Sequence, residues 1–131
     1  QHVALTTGED RANRRDAVRS ALESGLTVGI HSDAPVTPMG PLFTAWCAVN
    51  RQTMSGKVLG EAQRISVPEA LYAITLGAAR TLKLDDEIGS ISVGKRADFA
   101  VLGANPLHGA PEALKDISIL GTVFGGKVCL L

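Results

Sequence analysis

The sequence predicts an α/β fold that gives way to a small β unit towards the C-terminal end. Residues 10–24 carry an apolar face at helical spacing, and residues 26–31 place apolar side chains at every second position, as a strand does. A helix followed directly by a buried strand is half of a repeating α/β unit. Residues 88–131 are instead rich in glycine and in short apolar runs. We therefore expect an α/β region over residues 1–84 and a β region over residues 85–131.

Proline, glycine and capping residues set the expected bounds of the other elements. Gly25 is suited to end the first helix, and Pro41 to open a second helix that runs to residue 50. Ser66 and Glu69 form a capping box at the start of a third helix, whose apolar pattern continues to residue 82. Residues 52–64 are polar and are expected to form a loop. The expected strands cover residues 97–102, 117–124 and 127–131, the last two joined by a turn at Gly125 and Gly126.

Charge and hydropathy exclude two classes of partner. Thirteen Lys and Arg residues offset 13 Asp and Glu residues, so the net charge offers no attraction for nucleic acid or for an anionic membrane surface. Every apolar run is far shorter than the roughly 18 residues that a membrane span requires. We therefore expect a globular protein without a nucleic-acid or membrane partner.

The cysteines and the first residue bear on cellular location and processing. Cys47 and Cys129 lie far apart and form no metal or redox motif. We expect both to be reduced and buried as small apolar residues, which favours a cytoplasmic location. The chain begins with Gln1 rather than Met, and we expect a fragment or a processed chain.

Asp33 is the main candidate for a functional residue. It follows the predicted strand at residues 26–31 immediately, and the strand cannot continue because prolines and a glycine punctuate the next eight residues. Loops at the C-terminal ends of strands are where α/β folds build their sites, because those loops are free of packing constraints. The alternative is a structural role for Asp33 as a cap in a turn, since Asp is a common turn residue.

Several short motifs, taken in order, resemble a known family. The first is Ser-Asp-Ala-Pro-Val at residues 32–36, followed by Pro41 and Arg51. The second is Ile-Gly-Ser-Ile-Ser-Val-Gly-Lys-Arg-Ala-Asp-Phe at residues 88–99, and the third is Thr-Val-Phe-Gly-Gly-Lys-Val at residues 122–128. The set resembles the C-terminal end of the amidohydrolase superfamily, and most closely the amidohydrolase-3 type that N-substituted formamide deformylase typifies.

The resemblance implies a metal-dependent hydrolase that cleaves C–N bonds of small amide-type substrates. It implies a TIM-like (β/α)8 barrel, of which residues 1–84 are the last part, and a small composite β-sandwich, to which residues 85–131 contribute. Residues 26–31 would be the eighth barrel strand. Asp33 would then be both a metal ligand and a catalytic residue acting on the attacking water, with zinc as the expected divalent ion.

The chain departs from the family pattern in its histidines and its length. The family also uses a His-x-His pair, a mid-barrel lysine or other bridging ligand and two further histidines, whereas this chain has only His2, His31 and His108. A whole barrel takes roughly 250 residues. A single aspartate cannot hold a catalytic ion. We therefore expect the chain alone to be inactive, and to associate with itself or with the remainder of the enzyme. The alternative is a non-catalytic α/β module for assembly or binding.

The remaining candidates have competing structural roles. His31 shares the strand parity of Asp33, so it could ligate the metal or be a hydrogen-bonded residue at the barrel mouth. Arg51 could cap the second helix through the helix dipole or contact substrate. The other candidates are expected to be structural: Trp46 in the core, Gly89 and Gly94 in turns, His2 and His108 on the surface, and Lys95, Arg96 and Asp98 in a solvated charge cluster.

Overall fold

The computed structural model describes residues 3–130 and pairs a helical layer with a small antiparallel sheet. Short π-helical and 3₁₀ turns occupy Val3–Thr7, Glu61–Gln63 and Pro111–Asp116. The helices are α1 (Glu9–Asn13), α2 (Val18–Glu23), α3 (Pro41–Asn50), α4 (Val67–Ile74) and α5 (Leu76–Thr81). The strands are β1 (Phe99–Leu102), β2 (Ile119–Phe124) and β3 (Lys127–Leu130).

Helix α3 is the centre of the hydrophobic core. Its residues Trp46 and Val49 are each 7% exposed, and they belong to one buried cluster with Ile65 and Leu114. The Trp46 Nε1–H donates to the Glu112 carbonyl over 2.9 Å, which ties the Pro111–Asp116 turn to the helix. The prediction that Trp46 lies in the core is confirmed. Helix α3 also spans residues 41–50 as predicted, with Pro41 in its first turn.

The predicted helix over residues 10–24 is wrong, because the structure divides it into α1 and α2. The break includes Asp16, whose φ of 48° is incompatible with a right-handed helix. The Arg51 guanidinium donates to the carbonyls of Arg15 (2.7 Å) and Asp16 (2.9 Å), so these carbonyls are satisfied outside a helix. A contact from a residue distant in the sequence therefore overrides the local helical pattern.

The predicted end of that helix is confirmed. Gly25 has a φ of 76°, and its N–H donates to the Leu22 carbonyl over 2.9 Å. The Leu26 N–H donates to the Ala21 carbonyl over 3.1 Å. These two bonds form a Schellman motif, in which glycine supplies the left-handed residue. The motif fixes the direction in which the chain leaves α2 towards Asp33.

The capping box predicted at the start of α4 is also confirmed. The Ser66 N–H donates to Glu69 Oε2 over 2.7 Å, and the Glu69 N–H donates to Ser66 Oγ over 3.4 Å. The predicted continuation of this helix to residue 82 is interrupted at Thr75, which has φ −124° and ψ −98°. Its hydroxyl donates to the Leu71 carbonyl over 2.7 Å, and α5 begins at the next residue.

Glu69 makes the chain less stable in acid. The Arg19 guanidinium donates to both of its carboxylate oxygens, at 2.8 and 2.6 Å, and with the bonds from Ser66 it lowers the pKa of Glu69 from 4.5 to about 2. The ionised form is thus favoured in the folded state. Its contribution is fully present above pH 4.5 and is lost as the pH falls towards 2. Because the side chain is 34% exposed, solvent screening reduces this contribution.

We expect Glu69→Gln to lower the free energy of unfolding by about 1 kcal/mol at pH 7, since glutamine keeps the cap but loses the charge. The difference from wild type should shrink at pH 3, because the unfolded chain protonates Glu69 below its ordinary pKa of 4.5 while the folded chain keeps it ionised. Urea denaturation at the two pH values measures it. Glu61→Gln is the matched control, because Glu61 is 76% exposed and pairs with Arg64 on the surface. An equal effect at both pH values would contradict the assignment to charge.

The sheet has three antiparallel strands in the order β1-β2-β3. Phe99 pairs with Val123, and β2 turns into β3 through Gly125 and Gly126, at φ 55° and 80°. The hairpin predicted at these glycines is confirmed. The strands begin at residues 99 and 119 rather than 97 and 117, and Leu131 lies outside the described residues.

The predicted charge cluster at the start of the sheet has specific structural partners. The Gly125 N–H donates to Asp98 Oδ1 over 2.6 Å. Asp98 directly precedes β1, so its carboxylate ties the β2–β3 turn to the start of β1. Arg96 pairs with Glu87, and Lys95 Nζ donates to the Ile88 carbonyl over 3.3 Å. These contacts agree with the structural role predicted for the three residues. Gly89 and Gly94, predicted in turns, both have positive φ, at 87° and 93°.

Candidate active-site segment

The segment at residues 26–33, which carries Asp33, is extended but forms no strand within the described chain. Leu26 is 61% exposed, so the prediction of a buried strand is wrong for this structure. A buried strand needs hydrogen-bonded neighbours on both sides. Within residues 3–130 helices pack against one side of the segment, and no strand pairs with it.

Helices α4 and α5 position the segment through close backbone contact. The Ile30 N–H donates to the Ala73 carbonyl over 3.2 Å. Gly77 is buried, and a Cβ at that position would overlap the Val28 carbonyl oxygen. A Cβ on Gly29 would lie 3.0 Å from the Ala78 Cα. The two glycines therefore permit an approach that side chains would prevent.

Asp33 stands at the end of this segment in an unusual conformation. Its φ is 55°, in the left-handed region that few residues other than glycine adopt. Its N–H donates to His31 Nδ1 over 3.0 Å, and its carbonyl accepts from the Val36 N–H over 2.8 Å. The side chain is exposed, and within residues 3–130 no group donates to the carboxylate. In this structure the backbone of Asp33 closes the turn, and its carboxylate is left free.

Two cavities meet at His31. One, of about 360 Å³, contains Asp33 and His31 in its wall and is lined further by Ile30, Ser32, Ala34, Met39, Pro41, Thr44 and Ile74. The other, of about 530 Å³, lies between α2, the extended segment and α3, with Cys47 and Arg51 in its wall. A small molecule beside Asp33 would thus contact mainly apolar side chains and a few hydroxyl groups.

Comparison with known proteins identifies the family. The model of the amidohydrolase family matches residues 1–130. The chain belongs to the amidohydrolase family. It is 36% identical over 109 residues to N-substituted formamide deformylase from Arthrobacter pascens, covering 83% of this chain and 20% of that protein. It is also 36% identical over 129 residues to Protein LONG AFTER FAR-RED 3 from Arabidopsis thaliana, covering 95% and 22%.

A solved amidohydrolase structure supports the fold of this family member. The amidohydrolase from Thermotoga maritima superposes with a TM-score of 0.64 at 21% identity, covering 85% of this chain and 24% of that one. The chain spans about a fifth of the length of the two relatives named above. The predicted resemblance to amidohydrolases is therefore confirmed, and so is a mixed helical and antiparallel architecture consistent with part of that fold.

The described part of this amidohydrolase chain holds no assembled set of candidate metal ligands. Within residues 3–130, no three His, Cys, Asp or Glu side chains converge as a metal site. His108 is exposed, as predicted, and its N–H donates to the Asn105 carbonyl over 3.2 Å. His2 lies outside the described residues. Asp33 offers the hard oxygen donor that divalent ions accept, but it fits such an ion as one ligand among several.

Arg51 caps α3 through its backbone, since it has a φ of 50° and its N–H donates to the Cys47 carbonyl over 2.8 Å. The predicted contact with substrate stays a prediction. Besides its bonds to Arg15 and Asp16, the Arg51 side chain donates through Nε to the Leu59 carbonyl over 2.7 Å. The guanidinium thus ties two loops together and does not reach the last carbonyls of α3. Burial lowers the pKa of Arg51. These bonds could not be predicted from the sequence, because their acceptors are backbone carbonyls, which any residue provides.

Both cysteines are free but exposed, so their predicted burial is wrong. Cys47 lies on the face of α3 opposite the core, beside the larger cavity, where partial burial raises the pKa of its thiol. Cys129 is exposed on β3, one edge of the sheet. Among the described helices, none is long and apolar enough to cross a bilayer.

Proposed function

We propose that this chain is the C-terminal segment of a metal-dependent amidohydrolase that hydrolyses C–N bonds in small amide-type substrates. The observation that carries the proposal is the free carboxylate of Asp33, held at the end of an extended segment in a chain of the amidohydrolase family. Residues 1–84 are then the last part of a TIM-like barrel, with residues 26–31 as its eighth strand. Residues 85–131 contribute to a small composite β-sandwich.

Asp33 has two roles in this proposal. A divalent ion, with zinc expected, lowers the pKa of bound water towards neutrality when it is present. The Asp33 carboxylate contributes one oxygen ligand, takes the proton of the attacking water and returns it to the leaving nitrogen. Its lack of a protein hydrogen-bond donor within residues 3–130 supports this assignment, because neither oxygen is committed to a structural bond.

The chain alone is inactive in this proposal, because one carboxylate cannot retain a catalytic ion. The extended segment at residues 26–33 leaves its backbone without a strand partner in the described chain, which supports pairing with another copy or with the remainder of the enzyme. The free thiols of Cys47 and Cys129 are compatible with a reducing, cytoplasmic location.

The test uses the longest open reading frame that contains this sequence, with the 131-residue chain in parallel. We expect the longer protein to carry divalent metal near stoichiometry and to hydrolyse members of a panel of N-substituted formamides and cyclic amides. Chelation should abolish turnover, and added zinc should restore it. The short chain should show neither metal nor turnover. A longer protein without metal and without hydrolysis would favour the non-catalytic assembly or binding module.

A further inference from the structure

We propose that His31 is a positioning residue, which holds Asp33 in its left-handed conformation through a hydrogen bond to Nδ1. The inference rests on the proposed role of Asp33. In this inference the His31 side chain binds the backbone of Asp33, and it is not a metal ligand. The observation is a bond from the Asp33 N–H to His31 Nδ1, over 3.0 Å.

The local geometry explains why Asp33 needs such a bond. A φ of 55° is sterically disfavoured for most residues other than glycine, and Asp tolerates it because its short polar side chain can hydrogen-bond locally. Three hydrogen bonds hold the loop around it. They are the His31 bond, the bond of the Val36 N–H to the Asp33 carbonyl over 2.8 Å, and a bond from the Thr37 hydroxyl to the Ser32 carbonyl. The His31 bond is the one that fixes the Asp33 amide itself.

The same bond occupies one nitrogen of the imidazole. Nδ1 accepts from the Asp33 N–H over 3.0 Å, so its lone pair is directed at the backbone. A metal bound through Nδ1 would compete with the Asp33 amide for that lone pair. A neutral imidazole that binds a metal through Nε2 carries its proton on Nδ1, which could then not accept from the Asp33 N–H. Nδ1 is therefore the acceptor for the backbone, and Nε2 is the ring nitrogen left for the cavity wall or solvent.

Two amide side chains separate this role from the alternatives. Asn at position 31 can place its carbonyl oxygen where Nδ1 lies and accept from the N–H two residues on, as in an Asx-turn. Gln is one methylene longer, so its amide occupies the region of Nε2. Positioning through Nδ1 predicts rescue by His31→Asn and not by His31→Gln, whereas a role through Nε2 predicts the reverse. His31→Ala removes both functions, and His108→Asn is the control at an exposed histidine.

The experiment measures hydrogen exchange at the Asp33 amide and steady-state kinetics, both in the longest open reading frame. We expect the amide to exchange about tenfold faster in His31→Ala and His31→Gln, and close to the wild-type rate in His31→Asn. In the same two variants kcat and metal content should both fall, kcat by about tenfold or more, and His31→Asn should restore both. Thermal unfolding of each variant confirms that it is folded.

The outcomes distinguish this inference from the proposed function. If wild type hydrolyses amides but the Asp33 amide exchanges equally in all variants, the positioning role is overturned and the proposed function stands. Rescue by His31→Gln and not by His31→Asn overturns it in favour of a role through Nε2. If wild type neither binds metal nor hydrolyses amides, the proposed function falls, and the exchange rates at the Asp33 amide still decide whether His31 holds that residue.

Discussion

Asp33→Asn is expected to lower kcat of the longer protein by a factor of about 100 or more, in the range that general acid–base groups contribute. Asparagine keeps the size of the side chain and tolerates a left-handed backbone, so the φ of 55° is preserved. It cannot take a proton from water, and as a neutral ligand it holds a cation less well. The measurement is kcat on the best substrate of the panel, with metal content on the same sample.

Asp98→Asn is the matched control for this prediction. Asp98 accepts from the Gly125 N–H over 2.6 Å at the base of the hairpin, and the asparagine oxygen can keep that bond. We expect kcat to remain within about twofold of wild type, since surface substitutions away from a site change little. A kcat at the wild-type level in Asp33→Asn would remove Asp33 from the catalytic machinery. An equal loss in both variants would indicate a general response to the removal of charge.

Trp46→Ala is expected to destabilise the fold by about 3–5 kcal/mol, the usual cost of truncating a buried aromatic residue. Trp46 is 7% exposed, stacks with Phe43 at 5.7 Å between ring centroids, and has Lys115 Nζ 4.4 Å from its ring centroid. The alanine variant also leaves the Glu112 carbonyl without its donor. Equilibrium denaturation in urea, monitored by circular dichroism, measures the loss.

Two further variants refine the Trp46 prediction. Trp46→Phe retains much of the apolar volume and loses the indole donor, so it should cost less than the alanine variant. Met54→Ala is the control, because Met54 is fully exposed and its truncation should stay within about 0.5 kcal/mol. If Trp46→Ala cost no more than Met54→Ala, the central place of α3 in the core would be wrong.

The elements predicted correctly are those whose cause is local. Pro41 and the Ser66–Glu69 capping box specify helix starts within one turn, and two consecutive glycines specify the hairpin. The helix over residues 10–24 failed because the Arg51 guanidinium, 35 residues from Asp16, binds carbonyls that a helix would use internally. No periodicity within a short window contains that information.

The candidate site was predictable in position but not in detail. The order of an apolar period-two segment and a proline-rich loop located Asp33, and no group in the described part of the chain donates to its carboxylate. The bond to His31 could not be foreseen, because it depends on the left-handed φ of Asp33, and Asp is one of several residues that tolerate that region. The expected burial at residues 26–31 required neighbouring strands, and the described residues hold none.

The close contact between α5 and the extended segment makes Gly77 intolerant of substitution. Any larger residue there would push against the Val28 carbonyl, five residues before Asp33, and so displace the end of the segment. In a library of random variants selected for function, substitutions of Gly77 should therefore be as rare as substitutions of a residue in direct contact with substrate. Gly29 cannot compensate, because a Cβ there would itself lie 3.0 Å from the Ala78 Cα.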